Sequence, residues 1–360
     1  MPWGVRAHDE ISSRLLDDFF CEGVKVKRLS YILSLIVISA GILPAQEFTI
    51  KFATIAPDGS TWMNVMKQYD AAVRKESGGR LGFKIYPGGV QGDEKSVLRK
   101  IRVGQLQCGG FTGVGMGEIA PKVRILDSPF LVRNDDEVDM LYSQFGTEFE
   151  AAFEEGGYVL LGWAEVGFVH VFTSVPVRKS QDLKGIKMWT WEGDPIAETA
   201  FRALGIDPIP LSFTDVMTSL QTGLIDAFYT PPYAAVELQW YTRVKYMVNV
   251  PLADAAGAVL ISKKYFDQIP KDLQEVLLRN GKLYISKLTR MSRKDNKDAI
   301  KELAKRGITM LSASDEDMKE YIDVGVRSRR MLVGKLYSEE FLNRVEKAIS
   351  DYRKAHPASK

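Results

Sequence analysis

The chain has 360 residues, 45% of them apolar and 26% charged, a globular composition that excludes disorder and a collagen-like fibre and whose length suits about two domains. Its 48 Lys and Arg against 46 Asp and Glu leave a net charge of +2, which offers no basic field for nucleic acid and no strongly acidic face. Two cysteines, Cys21 and Cys108, are too few for a disulfide framework or a Cys-type zinc site.

Residues 24–45 read as a cleavable signal peptide. Lys25, Lys27 and Arg28 precede an apolar run, and the small residue Ala45 marks the cut. The run is short for a membrane span, which needs about 20 apolar residues. Residues 1–23 are polar and balanced in charge, unlike a secretory n-region, and read as a non-native extension ahead of a true start near Val24.

Beyond the signal, residues 48–55 alternate as a strand, and Pro57-Asp58-Gly59-Ser60 punctuates the chain before Ser60 or Thr61 caps a helix. Trp62, Val65, Met66, Tyr69 and Val73 share one face of that helix, which Gly78-Gly79 ends. A strand over 81–86, a helix over 93–102 and a strand over 106–112 follow. This order is the signature of a parallel α/β sheet. Residues 158–163, 168–174 and 186–191 open a second run of strands. A helix over 195–204 stops at Gly205, and Ser212-Phe-Thr-Asp215 resembles a capping box for a helix ending at Gly223. Strands over 224–229 and 257–262, a long charged helix over 270–306 and a last helix over 338–354 complete the pattern. Cys108, between Gln107 and Gly109, is a buried core thiol on this reading.

Catalytic chemistry finds no support. His170 lies in an alternating strand and reads as structural, and no His pair has metal-ligand spacing. No nucleophile elbow or P-loop is present. Gly115-Met-Gly117-Glu-Ile-Ala120 loosely fits a dinucleotide fingerprint, but Pro121 would break the helix that should hold the pyrophosphate, so a tight glycine turn is the better reading. No enzyme activity, cofactor or metal is expected.

Six segments in order, FATIAPDGSTW (52–62), SGGRLGFKIYPGG (77–89), LDSPFLVRN (126–134), DLKGIKM (182–188), ALGIDPIPLSFTDVMTSLQTGLIDA (203–227) and ISKKYFDQIPKDLQE (261–275), together resemble the periplasmic solute-binding proteins of TRAP-type transporters, the DctP-like family. The resemblance implies an α/β, two-lobed periplasmic solute-binding protein fold with a long helix bridging both lobes. Lobe I would comprise 46–166 and 256–295, and lobe II 167–255 and 296–360. It also implies a small-molecule ligand held between the lobes, delivery to TRAP membrane permease subunits on a sodium gradient, and a helical-repeat helper protein in some systems. Export to the periplasm fits the signal peptide.

Members of the family usually bind an organic acid. The resemblance implies an Arg in the strand after the DLKG turn, a second Arg in a G-F-R segment and an Asn in a D-G-Q-E-N-P segment. Those positions here are Trp189, Val169 and Thr230. A carboxylate taken from water needs cations or several donors, whereas an aromatic wall gains by burying apolar area at roughly 25 cal/mol per Å². The expectation is therefore an apolar or amphipathic ligand walled by Trp189, Phe228 and Tyr229, with Val169 beside them. Trp191 shares the face of Trp189. Phe228 and Tyr229 point to opposite faces, and Tyr229 is the favoured one. Trp62 matches a family position that lines the cleft, and Thr112 and Gly113 lie where backbone N–H groups would reach a ligand. Asp93 reads as a helix cap, and Arg124, Arg133 and Arg243 as solvated surface. Two other readings stay open: an organic-acid binder using a substitute cation such as one of these three, and a periplasmic interaction protein without a transport ligand.

Overall fold

The computed structural model describes residues 47–357 of the chain, so the expected extension 1–23 and signal peptide 24–45 lie outside the described residues. The first lobe opens with β1 (Phe48–Ala53), α1 (Thr61–Glu76), β2 (Leu81–Tyr86), α2 (Glu94–Arg102), β3 (Cys108–Thr112) and the short α3 (Gly113–Gly117). A 3-10 segment, Pro121–Asp127, leads to α4 (Asp135–Glu155) and β4 (Tyr158–Trp163). The chain crosses to the second lobe at β5 (Gly167–Phe168). That lobe contains β6 (His170–Thr173), β7 (Trp189–Trp191), α5 (Pro195–Ala203), β8 (Ile209–Leu211), α6 (Val216–Thr222), β9 (Ala227–Thr230), α7 (Pro232–Glu237) and β10 (Tyr246–Val248). It returns at β11 (Asp254–Ala255), antiparallel to β5, and continues into β12 (Gly257–Ser262), α8 (Lys263–Phe266), α9 (Lys271–Lys305), β13 (Thr309–Leu311), α10 (Asp315–Met331) and α11 (Glu339–Ala355).

Local chemistry sets the starts of these helices. The Ser60 hydroxyl accepts from the Met63 amide at 3.3 Å to cap α1, whose stripe Trp62, Val65, Met66, Tyr69 and Val73 is buried. Asp93 caps α2 by accepting from the Ser96 amide at 2.9 Å, as read from the sequence. The capping box at Ser212 does not form. A 3-10 turn, Phe213–Asp215, precedes α6 instead, because the Ser212 hydroxyl is engaged by the Thr214 hydroxyl at 3.0 Å. Gly223 closes α6 at φ +71°, a conformation that glycine adopts without strain.

The first-lobe sheet has the order β2-β1-β3-β12-β4. β1 is parallel to β2 and β3, but β12 runs antiparallel to β3 and β4, so the expected parallel sheet is mixed. The cause is the crossover: β12 enters from the hinge, at the end of the sheet where β3 and β4 finish. The second-lobe sheet, β13-β10-β6-β9, is mixed as well, and β7 and β8 form a separate parallel pair.

Helix α9 bridges the lobes. Leu273, Leu277, Ile285 and Leu288 pack with α1 in the first-lobe core, whereas Leu303 packs with Phe228 and Trp240 in the second. The lobe assignment of the C-terminus needs correction. Phe341, Leu342, Val345 and Ile349 of α11 pack with Phe145 and Phe149 of α4, so this helix belongs to the first lobe and not to the second. Its apolar stripe finds a ready aromatic partner there: Phe341 meets both rings edge-on, with centroids about 6 Å apart.

Candidate ligand-binding cleft

Between the lobes lies a cavity of about 250 Å³. The first lobe contributes Trp62, Thr112, Gly113, Arg124 and Asp127 to its walls, and the second Val169, Trp189, Trp191, Asp194, Tyr229 and Thr230. The lobes touch around it: Val114 packs into the second-lobe core and Ile196 into the first.

The aromatic wall follows from strand alternation. Trp189 and Trp191 lie on one face of β7, with ring centroids 6.2 Å apart. The Tyr229 ring stacks on Trp189 at 5.1 Å, and Phe213 sits 5.0 Å from Trp191. Trp189 is only 2% exposed, its indole N–H donating to the Leu211 carbonyl at 3.1 Å, so most of the ring serves packing as well as the wall. Phe228, expected in the wall, does not line the cavity. It points to the opposite face of β9 from Tyr229, stacks on Phe172 at 4.9 Å and meets Trp240 edge-on. Trp62 reaches the cavity because Gly110 leaves room: a Cβ there would lie 2.8 Å from the indole.

The polar side of the cleft was not legible as a site. Arg124, expected at the solvated surface, is buried and lines the cavity. Its Nε donates to Asp127 at 2.9 Å and its Nη2 to Asp194 at 2.9 Å. Asp194 also accepts from the Ile196 amide at 3.1 Å and from the Tyr229 hydroxyl at 3.3 Å. The two carboxylates hold the Arg124 guanidinium firmly protonated against its burial. Burial pushes the Asp127 carboxyl up to about 6 although Arg124 opposes the shift.

Glu94 lies beside this pair, 1% exposed, accepting from the Thr112 amide at 2.7 Å, the Thr112 hydroxyl at 3.0 Å and the Gly115 amide at 2.7 Å. Desolvation outweighs these bonds and pushes its carboxyl up to about 7. The Thr112 amide is thus committed to Glu94, which corrects the expectation that it is open to a ligand. Gly113 lines the cavity, and a Cβ there would collide with the Asp127 carboxylate. A Cβ on Gly115 would sit 2.7 Å from Glu94, and one on Gly117 2.7 Å from Arg124. The glycine-rich stretch thus makes way for buried charged side chains of the chain itself.

The expected structural roles of two further groups hold. His170 is buried with Nδ1 3.1 Å from the Val248 carbonyl, and Cys108 is a buried free thiol whose pKa is raised by desolvation. Behind the cavity, Arg293 of α9 binds Glu165 through Nε at 3.0 Å and Asp139 through Nη1 at 3.0 Å, fastening the bridging helix to the first lobe beside the hinge strands.

The family described as bacterial extracellular solute-binding protein, family 7, matches residues 52–327. The 2,3-diketo-L-gulonate-binding periplasmic protein of Escherichia coli K12 is 25% identical over 316 residues, spanning 86% of this chain and 95% of that protein. Two solved structures share the fold. A TRAP periplasmic solute-binding protein from Desulfovibrio salexigens with bound orotic acid superposes with a TM-score of 0.79 at 18% identity, covering 84% of this chain and 99% of its own. The sugar-acid-binding protein of Advenella mimigardefordensis in complex with galactonate gives a TM-score of 0.79 at 22% identity, covering 85% and 99%.

Proposed function

The chain belongs to the bacterial extracellular solute-binding proteins of family 7, the DctP-like receptors of TRAP transporters, and from that premise we propose that its cleft captures an apolar or amphipathic small molecule. The receptor role itself is that of the family: a periplasmic protein that binds a solute without chemically changing it and presents it to a TRAP membrane permease.

The observation that carries the ligand reading is the wall itself. Trp189, Trp191, Tyr229 and Val169 line the cavity, Trp189 and Val169 at the positions where the family resemblance implies Arg, and burying an apolar ligand against them gains roughly 25 cal/mol per Å². Arg124 is the single Arg or Lys among the described residues that line the cavity, and its Nε and Nη2 are each paired with a carboxylate. A ligand acid would enter beside Asp127, Asp194 and Glu94, and its desolvation, several kcal/mol for a buried ion, would lack a free cation to offset it.

A second reading, an organic-acid receptor that uses Arg124 as a substitute cation, draws support from the position of Arg124 in the cavity and from the acids bound by the orotic-acid and galactonate relatives. Native mass spectrometry of ligand carried through purification, followed by calorimetry of that ligand at rising salt, separates the two. Salt-insensitive binding of an apolar molecule is the expected result, because charge pairing weakens with screening and apolar burial does not. Recovery of a small carboxylate whose affinity falls with salt overturns the apolar reading. Finding no small ligand at all favours an interaction protein. Coupling to sodium and a helical-repeat helper rest on the family resemblance, and transport by the reconstituted permease with and without a sodium gradient tests the coupling.

A further inference from the structure

Resting on the reading of this cavity as the solute site, we infer that Asp194 is a built-in counterpart of a ligand carboxylate: it occupies the anion seat formed by Arg124, the Ile196 amide and the Tyr229 hydroxyl, and thereby sets the receptor against acids. Three unlike donors converge on this one side chain. A guanidinium N–H reaches Oδ1 at 2.9 Å, the first-turn amide of α5 reaches the same oxygen at 3.1 Å, and a phenol reaches Oδ2 at 3.3 Å. A guanidinium N–H, a helix-start amide and a hydroxyl are groups that recognise a free carboxylate. Here the carboxylate is covalently part of the chain, so its effective concentration at the seat is always high.

The seat also spans the cleft. Arg124 and Asp127 lie in the 3-10 segment of the first lobe, whereas Asp194 caps α5 of the second. The Arg124–Asp194 pair is therefore a contact across the lobes, made by an Arg124 only 4% exposed. The single Arg124 guanidinium is already shared by two carboxylates, those of Asp127 and Asp194. An entering acid would bring a third carboxylate to a single cation, which disfavours it. Removal of the Asp194 carboxylate vacates a place of its own size and charge.

The test is chemical rescue. Acetate is titrated into wild type, D194A and the double variant D194A/R124M, with chloride at equal ionic strength as control, and binding is read by calorimetry and thermal shift. The expected result is acetate affinity at least about tenfold higher in D194A than in wild type, lost again in the double variant. Equal acetate binding in wild type and D194A, or none in D194A, overturns the inference. Should D194A fail to fold, D194S serves. It keeps a helix-capping hydroxyl but lacks the carboxylate, so acetate should bind it at least about tenfold more tightly than wild type, and unchanged binding overturns the inference. The outcome is separable from the ligand reading. Wild type carrying an apolar ligand while neither variant gains acid affinity sinks this inference alone, and wild type carrying a carboxylate sinks both.

Discussion

The Tyr233 hydroxyl, at the start of α7 in the second lobe, accepts a hydrogen bond of 2.9 Å from the Thr61 amide at the first turn of α1 in the first lobe. Thr61 is among the helix-start amides that have no partner within their own helix, so this bond across the cleft supplies what α1 lacks. Asn296 of the bridging helix steadies the same tyrosine by accepting from its backbone amide at 3.0 Å.

Tyr233→Phe keeps the ring and removes only the acceptor. One such bond contributes about 1 kcal/mol, so ligand affinity should fall roughly fivefold through a weaker closed state. The midpoint of urea unfolding should scarcely move. Calorimetric titration beside a denaturation curve checks this, and a large stability loss with unchanged affinity would contradict it.

Trp189→Ala should cost about 3–5 kcal/mol of stability, because the ring is fully buried against Tyr229, Trp240 and Phe213 and its loss leaves a cavity. Chemical denaturation measures it. A loss under about 1 kcal/mol would mean that the wall collapses to fill the space.

The pH dependence of stability should carry the mark of Glu94. Its folded carboxyl is raised from 4.5 to about 7 by desolvation. Protonation therefore favours the folded state: that contribution is complete below pH 4.5 and disappears as pH rises through about 7. Its size is about 3 kcal/mol. Between those limits the stability of wild type relative to Glu94→Gln should fall as pH rises. Parallel curves for the two proteins from pH 5 to 8 would refute the assignment.

Arg293→Met should destabilise the protein by about 3–5 kcal/mol at pH 8, because Glu165, 1% exposed at its side chain, is left as an unpaired buried carboxylate. Burial already raises the Glu165 carboxyl while Arg293 lowers it. Without the guanidinium it rises further and is protonated earlier on acidification, so the loss should shrink at lower pH. A loss independent of pH would assign the effect to packing.

Gly113→Ala should displace the Asp127 carboxylate, which occupies the space a Cβ would take, and so loosen the Arg124 pair. The expected outcome is weaker ligand binding together with lower stability, read by the same titrations. A fully wild-type protein would show that the 3-10 segment yields easily.

The helices and strands were legible wherever period and punctuation coincide. The stripe of α1, the alternation that places Trp189 with Trp191 and Tyr229 opposite Phe228, and the glycine stop at Gly223 are all local, and each is seen in the fold. Helices α4 and α10 were not read, since their apolar positions are interleaved with dense charge and their stripes are recognisable only against the partners they cover. The direction of β12 within its sheet and the lobe to which α11 belongs depend on crossovers and docking, which residue periods do not encode.

By itself the sequence determined the aromatic character of three wall positions, Trp189, Trp191 and Tyr229, through residue identity and strand alternation, and it placed Trp189 and Val169 where the family resemblance implies Arg. Only the tertiary structure decided the charge of the cleft. Arg124 and Asp194 are 70 positions apart. Nothing in the neighbourhood of either marks it as buried, and their meeting depends on how two lobes close over one cavity. Local patterns register which side chains share a face of one element, whereas a charge buried against a distant partner is fixed by packing alone.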